Sequence, residues 1–176
     1  AAGGPAAPAD LRGRYQRSMP KTPATAQALE DFLAAHAAER LESYKDFVRI
    51  PSISALPEHA ADCRRAAEWI AADLERMGME HVEVAETGGH PVVYADWLHA
   101  DGAPTVLVYC HYDVQPVDPL DEWRRPPLEP VVDGNKAFAR GASDDKSSCP
   151  NLIQAAEAAL AAGRRLPTNL HFVFEE

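Results

Sequence analysis

Three polar clusters in this chain combine side-chain types that bind metal ions and move protons. The first is His111 with Asp113, near the end of T-V-L-V-Y-C-H-Y-D-V-Q-P, residues 105–116. A neutral imidazole is a common ligand for zinc, cobalt and manganese. Two residues apart on extended backbone, the two side chains point the same way. Asp113 can then fix the tautomer of a ligating His111 ring. The second cluster is Asp144-Asp145 in R-G-A-S-D-D-K, residues 140–146, where a carboxylate on a rigid turn can bridge two metal ions. The third is Glu175-Glu176, directly after an apolar run. There one Glu can bind metal while its neighbour takes a proton from a metal-bound water, whose pKa falls toward ~7. Each cluster also has an inert explanation. A lone H-x-D is more often a hydrogen-bonded loop histidine, two Asp at a helix start favour the helix dipole, and a Glu pair can simply be solvated. All three together, each beside a strand end or helix start, point to part of a metal-dependent hydrolase.

The hydrophobic pattern supplies the elements that must position these residues. From Ala26, the residues Leu29, Phe32, Leu33, His36, Leu41, Tyr44, Phe47 and Val48 recur at helical steps until Pro51 stops them. Residues 51–58 form a loop. A second helix is expected from about His59 to Met77, with Ala66, Ala67, Trp69, Ile70, Leu74 and Met77 inward and Gly78 as its stop. H-V-E-V-A-E and P-V-V-Y-A-D-W-L read as strands separated by a Gly88-Gly89 turn, and Val106–Tyr109 as a buried central strand. The Pro- and charge-rich loop after it is long enough to line a site. Val131–Ala139, turning at Asp133-Gly134-Asn135, reads as a hairpin. A helix from about Ser148 to Ala162 follows, with Pro150 in its first turn and Gly163 as its stop. The strand N-L-H-F-V-F comes last. The expected class is α/β, a mixed sheet flanked by helices.

The 176 residues are enough for one domain with a buried core, and the net charge of -10 argues against nucleic acid or an anionic membrane as partner. No apolar run approaches the ~20 residues of a membrane span. The first residues lack the pattern of a secretory signal, and three scattered cysteines give no disulfide framework, so a cytoplasmic protein is expected. Neither C-x-x-C nor H-E-x-x-H occurs. His36, His59, His81, His90, His99 and His171 lack a comparable context and are read as structural. A Cys110–His111 nucleophile pair is disfavoured because adjacent strand side chains face opposite ways.

The runs Y-C-H-Y-D-V-Q-P, E-W-R-R-P-P-L-E-P-V, R-G-A-S-D-D-K and N-L-H-F-V-F-E-E, in this order, resemble the co-catalytic zinc peptidases. That family includes carnosinase-like dipeptidases, glutamate carboxypeptidases, aminoacylases and succinyl-diaminopimelate desuccinylases, and the details look most like the dipeptidase branch. The resemblance covers roughly Ala26 to Glu176. It implies two divalent metal ions, zinc first, with manganese or cobalt as alternatives. It implies His111 as a metal ligand, Asp113 as the carboxylate orienting it, Asp144 as the bridging ligand, and a cis Asp144–Asp145 peptide. The Glu pair after the last strand would supply the general base, Glu175, and then a ligand, Glu176. Alternatively these two open the family's Glu-Gly-x-Glu-Glu motif and the working pair lies beyond them. A further departure is Ser147, followed by Ser148-Cys149-Pro150, where the family has Gly after Asp-Asp-Lys.

On this resemblance, residues 25–176 are the N-terminal part of a metallopeptidase catalytic domain, without the family's dimerisation domain and C-terminal half, and residues 1–24 are a loosely ordered lead-in. The expected reaction of the parent, a homodimer, is hydrolysis of a dipeptide amide bond, with an N-acyl amino acid as the alternative substrate. As an isolated segment it is expected to have little activity. The rival reading is a non-catalytic α/β module that keeps the fold and has lost the chemistry.

Overall fold

The computed structural model describes residues 26–161 and 166–176. The lead-in and the Gly163 helix stop lie outside them. Helix α1 spans Ala26–Arg49 and α2 spans Ala60–Arg76, the second entered through a 3-10 turn at Pro57–His59. Cys63, Ala66, Ala67, Ile70 and Leu74 are fully buried on α2, as their three- and four-residue spacing requires. Gly78, at φ +85, ends it: Met79 N–H donates to Leu74 C=O and Gly78 N–H to Glu75 C=O, both at 3.0 Å, which closes a Schellman motif. On α1 the expected inner face is realised at the C-terminal end only. Phe47 and Val48 are fully buried, whereas Leu33 and Leu41 are exposed.

The strands are β1 (Glu80–Ala85), β2 (Val92–Trp97), β3 (Thr105–His111), β4 (Val131–Asp133), β5 (Lys136–Phe138) and β6 (Asn169–Glu175), with α3 (Ser148–Ala161) between β5 and β6. The main sheet runs β1-β2-β6-β3, and β4-β5 is the separate two-stranded hairpin expected. β1 and β2, and β2 and β6, are antiparallel; β3 and β6 are parallel, so the sheet is mixed. One face is dry: Val93, Ala95 and Trp97 of β2, Leu170, Phe172 and Phe174 of β6, and Cys110 of β3 join the buried faces of α2 and α3 in one core. Across the helices, the Arg40 and Arg76 guanidiniums pair with Asp73 and Glu157, tying α1, α2 and α3 together.

One expectation is corrected here. The Val106–Tyr109 strand is neither buried nor central. Among the described residues β3 is an edge strand, with Val106, Leu107 and Tyr109 at 45, 63 and 54% exposure. Its apolar run is continuous, but α3 meets only the Cys110 side, and β6 takes the central position instead. Among the described residues no helix is long and apolar enough to cross a membrane.

Candidate metal centre

His111 ends β3, but the backbone stays paired beyond it. Tyr112 N–H donates to Glu175 C=O at 2.7 Å and Val114 N–H to Ser52 C=O at 2.8 Å. The extended geometry therefore persists, and His111 and Asp113 fall on one side: Nδ1 lies 2.7 Å from Asp113 Oδ1. Asp113 is 9% exposed, and its other oxygen accepts the Ser54 hydroxyl at 2.5 Å. Ser52 Oγ donates to Tyr112 C=O at 2.8 Å, so the loop after α1 clamps the whole segment. Burial opposes charging of His111, but the hydrogen bond and charge of Asp113, helped by Asp144 and Asp145, outweigh it and raise the ring's pKa. With Nδ1 engaged, Nε2 is the nitrogen left to bind, and Asp144 Oδ1 stands 3.2 Å from it. Two ligands on one tetrahedral zinc, bonded at ~2.0–2.1 Å, are about 3.3 Å apart, so this pair fits a shared ion.

Asp144 reaches that position through a tightly held turn. The Asp144–Asp145 peptide is cis, as is Asp118–Pro119. Gly141 adopts φ +76 under Val114, and Lys146 N–H donates to Gly141 C=O at 3.1 Å. The Lys146 side chain is fully buried. Its ammonium donates to Phe47 C=O at 3.0 Å and Ile50 C=O at 2.5 Å, over the Phe47 ring. It thus adds a second bond to two carbonyls at the end of α1 that otherwise accept only from the Ile50 and Ser52 N–H groups. Burial lowers its pKa to about 7. Tyr44 OH adds a bond to Ala142 C=O at 2.9 Å. The Ser147 departure is accommodated: its hydroxyl donates to Ser143 C=O, Ser148 Oγ bonds Asp145, and α3 starts at Ser148 with Pro150 in its first turn.

The Glu pair sits differently. His111 and Glu175 are register partners across β3 and β6, yet the Glu175 carboxylate accepts Tyr109 OH at 2.5 Å. Glu176 faces His90 Nε2 at 3.3 Å, beside Gly89. The structure therefore brings His111, Asp113 and Asp144 together and holds Glu175 and Glu176 on other partners. Among the described residues no third His, Cys, Asp or Glu donor joins the His111–Asp144 pair at chelating distance. The Pro-rich loop lines a cleft of about 520 Å³ with Trp123, Arg125 and Phe138, and His111 is not in its lining. Arg140 anchors this loop, stacking on Trp123 and donating to Pro116 C=O at 3.1 Å. Sequence reasoning missed Ser52, Ser54 and the roles of Tyr44 and Lys146. Tyr44 carried a signal in the helical spacing of α1, and Lys146 as a cation directly after two aspartates.

Helices over a mixed sheet, with a histidine, its carboxylate partner and a turn aspartate at one strand end, make up a scaffold shared with solved M20 peptidase structures. Residues 107–176 match the model of the peptidase family M20/M25/M40. The chain is 32% identical over 139 residues to the Cys-Gly metallodipeptidase dug1 of Schizosaccharomyces pombe, covering 73% of this chain and 29% of that protein. To the human Beta-Ala-His dipeptidase it is 28% identical over 177 residues, 93% of this chain and 34% of that one. The crystal structure of human carnosine dipeptidase 1 superposes with a TM-score of 0.78 at 28% identity, over 85% of this chain and 34% of that chain. The M20 metallo-carboxypeptidase Sso-CP2 of Sulfolobus solfataricus gives 0.70 at 34% identity, over 78% and 30%. The chain thus spans about a third of the length of these relatives.

Proposed function

We propose that this chain carries part of the active centre of a metal-dependent dipeptidase. The observation that supports this most is the His111–Asp144 pair, 3.2 Å apart, with Asp113 behind the ring. In this reading His111 Nε2 and Asp144 hold divalent metal, zinc first, with manganese or cobalt as alternatives. Asp144 would serve as the carboxylate shared by a two-ion centre. Metal bound there supplies a polarised carbonyl and an activated water for amide hydrolysis. The chain's own residues do the positioning. Asp113 holds the proton of Nδ1 and leaves Nε2 to bind; Ser54 fixes Asp113; Lys146 docks the Asp144 turn on the end of α1. Glu175 is the candidate proton acceptor and Glu176 the candidate further ligand, each after turning from its present partner.

The names of the relatives support a dipeptide as substrate, with an N-acyl amino acid as the alternative. A homodimeric parent and a cytoplasmic setting complete the proposal. Among the described residues His111 and Asp144 have no third donor beside them, which favours one other reading, a module that binds metal weakly and does no chemistry. Calorimetric titration with Zn²⁺ or Mn²⁺, followed by hydrolysis assays on dipeptides and N-acyl amino acids, tests both. His111→Ala and Asp144→Ala are each expected to remove the same binding event and any hydrolysis. Unchanged binding and turnover in both variants would overturn the proposal. Binding without turnover of any substrate would select the non-catalytic module.

A further inference from the structure

A second group of donors lies at the opposite edge of the sheet. β1 carries a bulge: Glu80 pairs with Asp96 and Glu83 with Tyr94, so the register shifts between them. Within the bulge His81 has φ +49, a left-handed conformation uncommon for a non-glycine residue. Successive strand residues ordinarily face opposite sides. This bulge instead brings Glu80 and His81 to the same carboxylate, Asp96, and one donor atom from each of the three lies within 4.8 Å of the others. His81 Nδ1 is 2.9 and 3.1 Å from the two Asp96 oxygens. Asp96 is only 4% exposed, and its remaining contact is the Tyr94 hydroxyl at 2.9 Å. Glu80 is oriented by His99, whose Nε2 is 3.0 Å from Oε1.

We propose that Glu80, His81 and Asp96 bind one divalent transition-metal ion, of which zinc fits best, with His99 positioning Glu80. One imidazole and two carboxylates are a mixed nitrogen and oxygen set suited to such an ion, and their charges balance it. The His81–Asp96 separations of about 3 Å are close to the ~3.3 Å expected for two ligands of tetrahedral zinc, and a Glu80 oxygen lies within 4.8 Å of both. The site is independent of His111. β1 and β3 are the two edges of the sheet, and Asp96 is level with Leu107 through His171, four positions before His111. An ion there would staple the bulged edge strand to β2.

The test uses the His111→Ala/Asp144→Ala double variant, so that the first site is disabled. Zn²⁺ is titrated by calorimetry, and Co²⁺ by its visible absorption. One ion per chain is expected, with a tetrahedral Co²⁺ spectrum and a rise in Tm. Adding His81→Ala, an exposed residue whose loss leaves the core intact, should weaken binding at least tenfold; adding His99→Ala should weaken it less, at the same stoichiometry. No binding to the double variant, or binding indifferent to both His81→Ala and Glu80→Gln, would overturn the proposal and leave only hydrogen-bonded pairs.

Discussion

Gly141→Ala is the sharpest probe of how the Asp144 turn is held. At φ +76 a non-glycine residue costs about 1–2 kcal/mol through contact of its Cβ with the backbone. The new methyl would also overlap Val114 Cγ1, while meeting Lys146 Cγ and Cδ at an ordinary 3.6 Å. Val114 is 3% exposed and cannot swing into solvent, so overpacking adds about 1–3 kcal/mol. The expected loss is therefore about 2–5 kcal/mol, read as a shift in the denaturant midpoint with an unchanged slope. A double-mutant cycle separates the two parts. Val114→Ala removes the overlapping methyl, so Gly141→Ala should cost only the backbone part, about 1–2 kcal/mol, in that background. A Gly141→Ala protein within about 0.5 kcal/mol of the parent would refute the strain. A cycle with no coupling would refute the clash.

Asp113→Asn should lower metal affinity at His111 about 10–100-fold with little change in stability, measured by competition with a chromophoric chelator. Lys146→Met keeps the volume but removes two hydrogen bonds, leaving the Phe47 and Ile50 carbonyls only their backbone donors, and at about 0.5–1.5 kcal/mol per bond should cost about 1–3 kcal/mol in equilibrium unfolding. Burial, with the nearby charges of Asp113 and Glu176, raises the Cys63 thiol to about 11. The folded state keeps a proton that the unfolded thiol loses near its ordinary 9.0, so this contribution is full below pH 9 and is lost as pH rises through about 11. Unfolding measured from pH 8 to 11 should show stability falling, with a shallower fall in Cys63→Ala.

Most element positions were legible because the apolar spacing is clean. The α2 face, the α3 start at Ser148, the β4-β5 hairpin and the β6 strand all stand within a residue or two of expectation. The rank of the strands was not legible. Val106–Tyr109 is as apolar as β6, and only tertiary pairing decides which is central. At the site, His111 and Asp113 could be paired by strand alternation alone, and their hydrogen bond follows it. Ser54 could not be found, because a loop serine carries no periodicity and its partner is remote in sequence. The grouping of His81 with Glu80 and Asp96 was not legible for the opposite reason. The period-two rule sends Glu80 and His81 to opposite faces, and only the bulge reverses it.

The parallel pairing of β3 with β6 also governs the order in which the molecule can assemble. β1, β2 and α2 are neighbours in sequence and can pack as soon as they are made. Among the described residues β3 pairs in the sheet only with β6, which follows it after the β4-β5 hairpin and α3 and must slot between β2 and β3. Until it does, the strand ending in His111 is an unpaired apolar edge open to association with other chains. Its last register pair is His111 with Glu175. Capture of a metal ion at His111 should therefore track the docking of β6, and variants that weaken β6 should lose the ion and gain aggregation together, with α2 and its hairpin still folded.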